Sequence, residues 1–270
     1  MTEFHKTIQS HYDLDNIVGR ILEALGDAGY QIDKPTVKML QQVDQLHGGG
    51  LKSTVRLAEL AGITSGLHVL DAGCGIGGAA RFFVDMFDCR VEAMDLSPDF
   101  VEAANELTAL CRLSDRISYH RGSVTNLPYG DRTFDMVWSQ NVSMNVDNKT
   151  NMFTEAFRVL KLGGRYAVSH AAQGTGGKPI YPLPWARKPS HSFLDTPEGL
   201  IAKLKAAGFR IVEYINDKGS KPSANKAPRS STIGLTPVMG DDFPERMANS
   251  IRSSREGRIV GMLVVAERPG

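Results

Sequence analysis

Val69-Leu70-Asp71-Ala72-Gly73-Cys74-Gly75-Ile76-Gly77-Gly78 is an apolar strand that runs into a carboxylate and then into a glycine-rich turn. The glycines let the backbone turn tightly and approach a ligand with no side chain in the way, and a helix opening near Gly78 points its free N–H groups at whatever lies there. A second carboxylate, Asp95, closes the next predicted strand, Val91 to Met94. A plain strand-to-helix connection needs neither carboxylate. Together they read as a site for a nucleoside-bearing cofactor.

Two cofactors compete for this turn, because Gly73-x-Gly75-x-x-Gly78 also satisfies the dinucleotide fingerprint. Asp71 separates them. In a dinucleotide site the turn faces a pyrophosphate, and Asp71 would set negative charge against negative charge. S-adenosylmethionine carries an ammonium and a sulfonium, so a carboxylate beside the glycines has a cation to meet. Asp95 can accept both ribose hydroxyl protons, as the corresponding acid does for a dinucleotide ribose.

At 270 residues, 41% hydrophobic and 23% charged, the chain suits one sizeable α/β domain with additions. A net charge of +1 without a long basic run disfavours nucleic acid and points to a small-molecule acceptor. The longest apolar run, Ile259 to Ala266, is far short of a membrane span, so a soluble, cytoplasmic protein without membrane contact is expected. Cys74, Cys89 and Cys111 lack CxxC spacing, which argues against a disulfide framework and against a metal site. Cys74 reads as a small side chain in a tight turn rather than a catalytic thiol. The reading leaves room for a homodimer.

Apolar residues recur at helical spacing at Ile17, Ile21, Leu22 and Leu25, then at Val37, Leu40 and Val43, with Pro35 near a second helix start. His47-Gly48-Gly49-Gly50 breaks the pattern before a helix over Ser53 to Ala61 that Gly62 stops. Residues 1–62 thus form a helical cap and 63–270 the core. From 68 to 169 strands and helices alternate, which gives a parallel sheet with helices on both faces. Ile259 to Ala266 pairs with Ile211 to Ile215 as an antiparallel edge. Residues 171–197, rich in glycine and proline around Tyr181 and Trp185, form an inserted lid, since such an insertion hangs over the crevice at the strands' carboxyl ends. Asp217 to Ser231 is expected as polar surface.

In order and spacing, the glycine turn, Asp95 in AMDLSP, Phe134-Asp135-Met136-Val137-Trp138, and Val159-Leu160-Lys161-Leu162-Gly163-Gly164 resemble the class I S-adenosylmethionine-dependent methyltransferases over most of the chain. Asp44-Gln45-Leu46-His47-Gly48-Gly49, the run from Ser139 to Val146, and Tyr181-Pro182-Leu183-Pro184-Trp185-Ala186 more narrowly resemble the sarcosine/dimethylglycine N-methyltransferase-like group of small-molecule enzymes. The chain departs from that pattern at Gly122-Ser123-Val124, which lacks the usual acidic residue, and at Asn141, where related sequences carry His.

The resemblance implies a Rossmann-like class I methyltransferase sheet and a methyl transfer to a small amine. It implies that Asp71 and Gly73 hold the methionine end of S-adenosylmethionine, that Gln140 reaches its methionyl part, and that Gly75, Gly77 and His47 join the cofactor site, His47 also closing over the acceptor. Asp95 would take the ribose, and Leu96, Ser123, Val124 and Leu127 would flank the adenine. Asn141, Met144, Asn145, Tyr181 and Trp185 would face the acceptor. His170, at the end of a strand, reads first as a hydrogen-bonded structural histidine and otherwise as a base for a hydroxyl acceptor. An O- or C-methyltransferase on a quinone-like or natural-product acceptor, a nicotinamide-dependent oxidoreductase, and a cofactor-binding module without catalysis stay open as alternatives.

Overall fold

The computed structural model describes residues 16–217 and 233–270. The expected surface stretch Asp217 to Ser231 therefore lies, Asp217 apart, outside the described residues. The alternating core consists of β1 (His68–Ala72), α4 (Gly78–Phe87), β2 (Arg90–Asp95), α5 (Pro98–Leu110), β3 (Ile117–Arg121), β4 (Phe134–Gln140), α6 (Lys149–Val159), β5 (Leu160–Gln173), α7 (Pro197–Ala206), β6 (Arg210–Asp217) and β7 (Ile259–Glu267). Ahead of it stand α1 (Ile17–Asp27), α2 (Val37–Leu40) and α3 (Gly50–Ala61).

The seven strands lie in the order β3-β2-β1-β4-β5-β7-β6. β7 runs antiparallel to β5 and to β6, with Ile211 opposite Ala266, so the expected pairing forms. β7 sits inside the sheet, however, and β6 is the edge. β1 is buried from Val69 to Ala72, because helices cover both faces. Leu70, Val137, Phe153 and Tyr166 pack on one face, and Val69, Phe83, Trp138 and Leu57 on the other. α5 begins as its sequence dictates: Ser97 accepts from the Phe100 N–H, Pro98 stands in the first turn and Asp99 complements the helix dipole.

Two insertions build one end of the molecule. The first follows β5 as expected, though β5 keeps Ala171 to Gln173 as strand. The second, between β6 and β7, contains α8 (Thr236–Met239) and α9 (Phe243–Arg255), neither of which the sequence reading anticipated. The two are clamped together. Arg246, fully buried, donates to the Pro184 carbonyl at 3.0 Å and pairs with Asp242 at 2.9 Å. Asn249 donates to the Pro182 carbonyl at 3.1 Å, and the Ile180 N–H donates to Ser253 Oγ at 2.9 Å. The cap joins the same structure, since Ile21, Leu25 and Leu40 share a core with Phe100 and Leu107 of α5 and with Val238, Met239 and Phe243. The cap is thus packed at once on the sheet's helices and on the second insertion.

Candidate active site

A cavity of about 640 Å³ opens over the carboxyl ends of β1, β2, β4 and β5. Asp71 and Asp95 stand on its floor, as the strand-end position requires. Asp95 accepts the Gly75 N–H on Oδ2 at 2.8 Å and the Ser97 N–H on Oδ1 at 2.9 Å, which fixes the carboxylate while leaving lone pairs for a ligand. Burial pushes the Asp95 carboxyl up. Asp71 is buried, its Oδ2 has no hydrogen-bond partner, and burial together with the neighbouring Asp95 pushes its carboxyl up to about 7. Gly73 has φ 88°, and a Cβ there would lie 2.2 Å from Val142 Cγ2, so the turn admits only glycine.

The cap braces this turn from above through a buried polar network. Asp44 and Arg81, both fully buried, form an ion pair at 2.9 Å, and Gln45 Nε2 donates to Asp44 Oδ1 at 3.0 Å. A Cβ on Gly78 would lie 2.3 Å from the Asp44 carbonyl oxygen, so the close approach of cap to helix start depends on that glycine. Thr54 Oγ1 lies 2.7 Å from Gln45 Oε1, 3.1 Å from His47 Nε2 and 3.2 Å from Gln140 Oε1. Burial lowers His47 to about 4, so it is neutral near pH 7. Of this network the sequence reading had only His47 and Gln140 as site residues. The missed signal was Arg81, a charged residue in the otherwise small and apolar Gly78-Ala79-Ala80-Arg81-Phe82-Phe83.

These residues fit S-adenosylmethionine. An orphaned carboxylate oxygen in a dry site costs free energy until a cation meets it, and an ammonium supplies that charge where a pyrophosphate would add to the repulsion. Leu96, Ser123 and Val124 line the neighbouring part of the cavity. The Ser123 hydroxyl is engaged with Thr125 Oγ1 at 2.8 Å.

Asn141, Met144, Asn145, His170 and Trp185 line the rest. Asn141 has φ 57°, a left-handed conformation, and its Oδ1 accepts from Ser169 Oγ at 2.7 Å. Asn145 Nδ2 donates to the Trp185 carbonyl at 2.8 Å, and Trp185 Nε1 donates to Ser192 Oγ at 3.0 Å. His170 is buried, its Nδ1 pairs with Ser143 Oγ, and its Nε2 has no partner. Burial and the nearby Lys149 lower it to about 3. Met239, Phe243 and Met247 come from the second insertion, with Phe243, Met247, Ser250 and Ser254 on one stripe of α9.

Three expected site residues lie elsewhere. Gly77 opens α4 beneath the turn, where a Cβ would lie 2.2 Å from the Tyr119 hydroxyl oxygen, and it does not reach the cavity. Leu127 is absorbed in the core beside Val137 and Phe153, its N–H held by Glu155 Oε2 at 2.7 Å. Tyr181 packs against the cluster of Met144, Leu183 and Trp185, outside the cavity lining. Each is drawn away by apolar packing or tight turn geometry rather than by the site.

Residues 70–168 match the family described as methyltransferase domain. It is 39% identical over 114 residues to erythromycin 3''-O-methyltransferase of Saccharopolyspora erythraea, covering 42% of this chain and 37% of that protein. It is 32% identical over 121 residues to phosphoethanolamine N-methyltransferase 1 of Arabidopsis thaliana, covering 45% and 24%. The chain thus spans well under half the length of these curated relatives. Its fold matches geranyl diphosphate C-methyltransferase from Streptomyces coelicolor A3(2), with a TM-score of 0.71 at 18% identity over 99% of this chain and 98% of that one.

Proposed function

We propose that this protein transfers a methyl group from S-adenosylmethionine to a small-molecule amine. The observation that carries the cofactor is the orphaned Oδ2 of buried Asp71, set between the glycine turn and Asp95. Bound there, S-adenosylmethionine would supply an electrophilic methyl group to the acceptor lone pair, the C–S electron pair leaving with sulfur as S-adenosylhomocysteine and any N–H proton passing to water. Asp71 meets the ammonium, Asp95 the ribose hydroxyls, and the cap with His47 and Gln140 covers the methionine end. Enclosure by cap and insertions excludes water and holds the acceptor in line.

The state of His170 supports an amine acceptor over a hydroxyl. A base for a hydroxyl must hold a proton near the working pH, and a histidine lowered to about 3 holds one poorly. An amine brings its own lone pair, so no base is needed. In this reading His170 is an orienting hydrogen-bond group, in line with the structural histidine that its place at a strand end suggests. The relatives named above modify O, N and C atoms, and the cavity's apolar side favours a natural-product acceptor as a second reading. Three free cysteines suit the reducing cytoplasm as the place of action. Incubation of the full chain with S-adenosylmethionine and either secondary amines or phenols, reading release of S-adenosylhomocysteine, tests the reading. Turnover with amines is expected, and turnover confined to phenols would overturn the amine.

A further inference from the structure

The lid and the insertion between β6 and β7 turn Pro184, Trp185, Met239, Phe243 and Met247 to the cavity, and none of the described residues they place there is charged. Met144 and Ile259 continue the same wall. An amino-acid acceptor carries a carboxylate, which in such a place loses its water without gaining a cation. Lys52 and Arg56, the basic residues lining the cavity among the described residues, are exposed on α3 and belong to neither insertion. Among the described residues one polar atom on the acceptor side lacks a partner, the Nε2 of buried His170. Thioether and aromatic walls of this kind suit a large apolar body, and methionine adapts to its shape.

We propose that the acceptor is a lipophilic amine, an apolar ring or chain seated on the Met144, Trp185, Met239, Phe243 and Met247 wall, with its single amine group hydrogen-bonded to His170 Nε2. The proposal rests on the methyltransferase reading and names its substrate class. An apolar wall also favours the uncharged form of the amine, the form whose lone pair reacts.

The test is calorimetric titration of the full chain, first with S-adenosylhomocysteine, then with N-methylbenzylamine or sarcosine added to that complex. N-methylbenzylamine should bind at least about tenfold more tightly than sarcosine, a difference of about 1.4 kcal/mol. Met247→Gln and His170→Phe should each weaken N-methylbenzylamine several-fold while S-adenosylhomocysteine still binds. Equal or tighter binding of sarcosine, no binding of N-methylbenzylamine, or indifference to both substitutions would overturn the proposal. Failure of S-adenosylhomocysteine itself to bind would instead strike the methyltransferase reading.

Discussion

The cofactor side and the acceptor side of the cavity are built in opposite ways. On the cofactor side the decisive groups follow one another along the chain, with Asp71, Gly73 and Gly75 in a single turn and Asp95 at the end of the adjacent strand. On the acceptor side the wall comes from a lid after β5 and a helix pair before β7, joined by Arg246, Asn249 and Ser253. Local chemistry dictates the first, because a strand, a carboxylate and a glycine turn leave few conformations. The second exists only once distant segments meet.

The largest effect expected is on the buried pair through which the cap braces the cofactor turn. Arg81→Met leaves Asp44 buried and unpaired, which should cost about 3–5 kcal/mol of stability in denaturant unfolding. Unchanged stability would mean that the cap is not held by this pair. Next, Asp95→Ala removes a carboxylate expected to accept charged hydrogen bonds worth about 1.5–3 kcal/mol each, so S-adenosylhomocysteine should bind roughly a hundredfold more weakly. Retained affinity would show that the ribose is held elsewhere.

The pH dependence is smaller. Asp71 must be ionised to meet an ammonium, so below its folded value of about 7 binding releases a proton and affinity falls by up to about tenfold per pH unit. The sign for stability is the reverse. A carboxyl raised on folding takes up protons between its ordinary range and about 7, so its contribution to the stability of the free protein is lost as pH rises through that window. Titrations at pH 6, 7 and 8 should show the slope, and Asp71→Asn should flatten it. The smallest effect sharpens the contrast between the two sides. Met247→Gln should leave S-adenosylhomocysteine affinity within about twofold, since a half-exposed substitution away from the ligand costs about 0.5 kcal/mol or less. A large loss there would mean that the two sides are not independent.

What could be read from the sequence follows the same division. The strand and helix order from His68 to Ser169, the start of α5 at Ser97-Pro98, and Asp71 and Asp95 on the cavity floor all come from local pattern and spacing. Leu127 and Tyr181 were misplaced because adjacency to a motif does not tell which way a side chain packs. α9 was missed because its stripe of Phe243, Met247, Ser250 and Ser254 mixes apolar with polar residues, which blunts the 3.6-residue period. Asp44 and Arg81 form a pair only through the fold, thirty-odd residues apart in the chain.

The most direct test of the central claim is calorimetric titration of the full chain with S-adenosylhomocysteine and, separately, with NADH. Binding of S-adenosylhomocysteine with none of NADH is the result expected from an orphaned Asp71 beside the glycine turn. Binding of NADH, with S-adenosylhomocysteine inert toward folded protein, would contradict it.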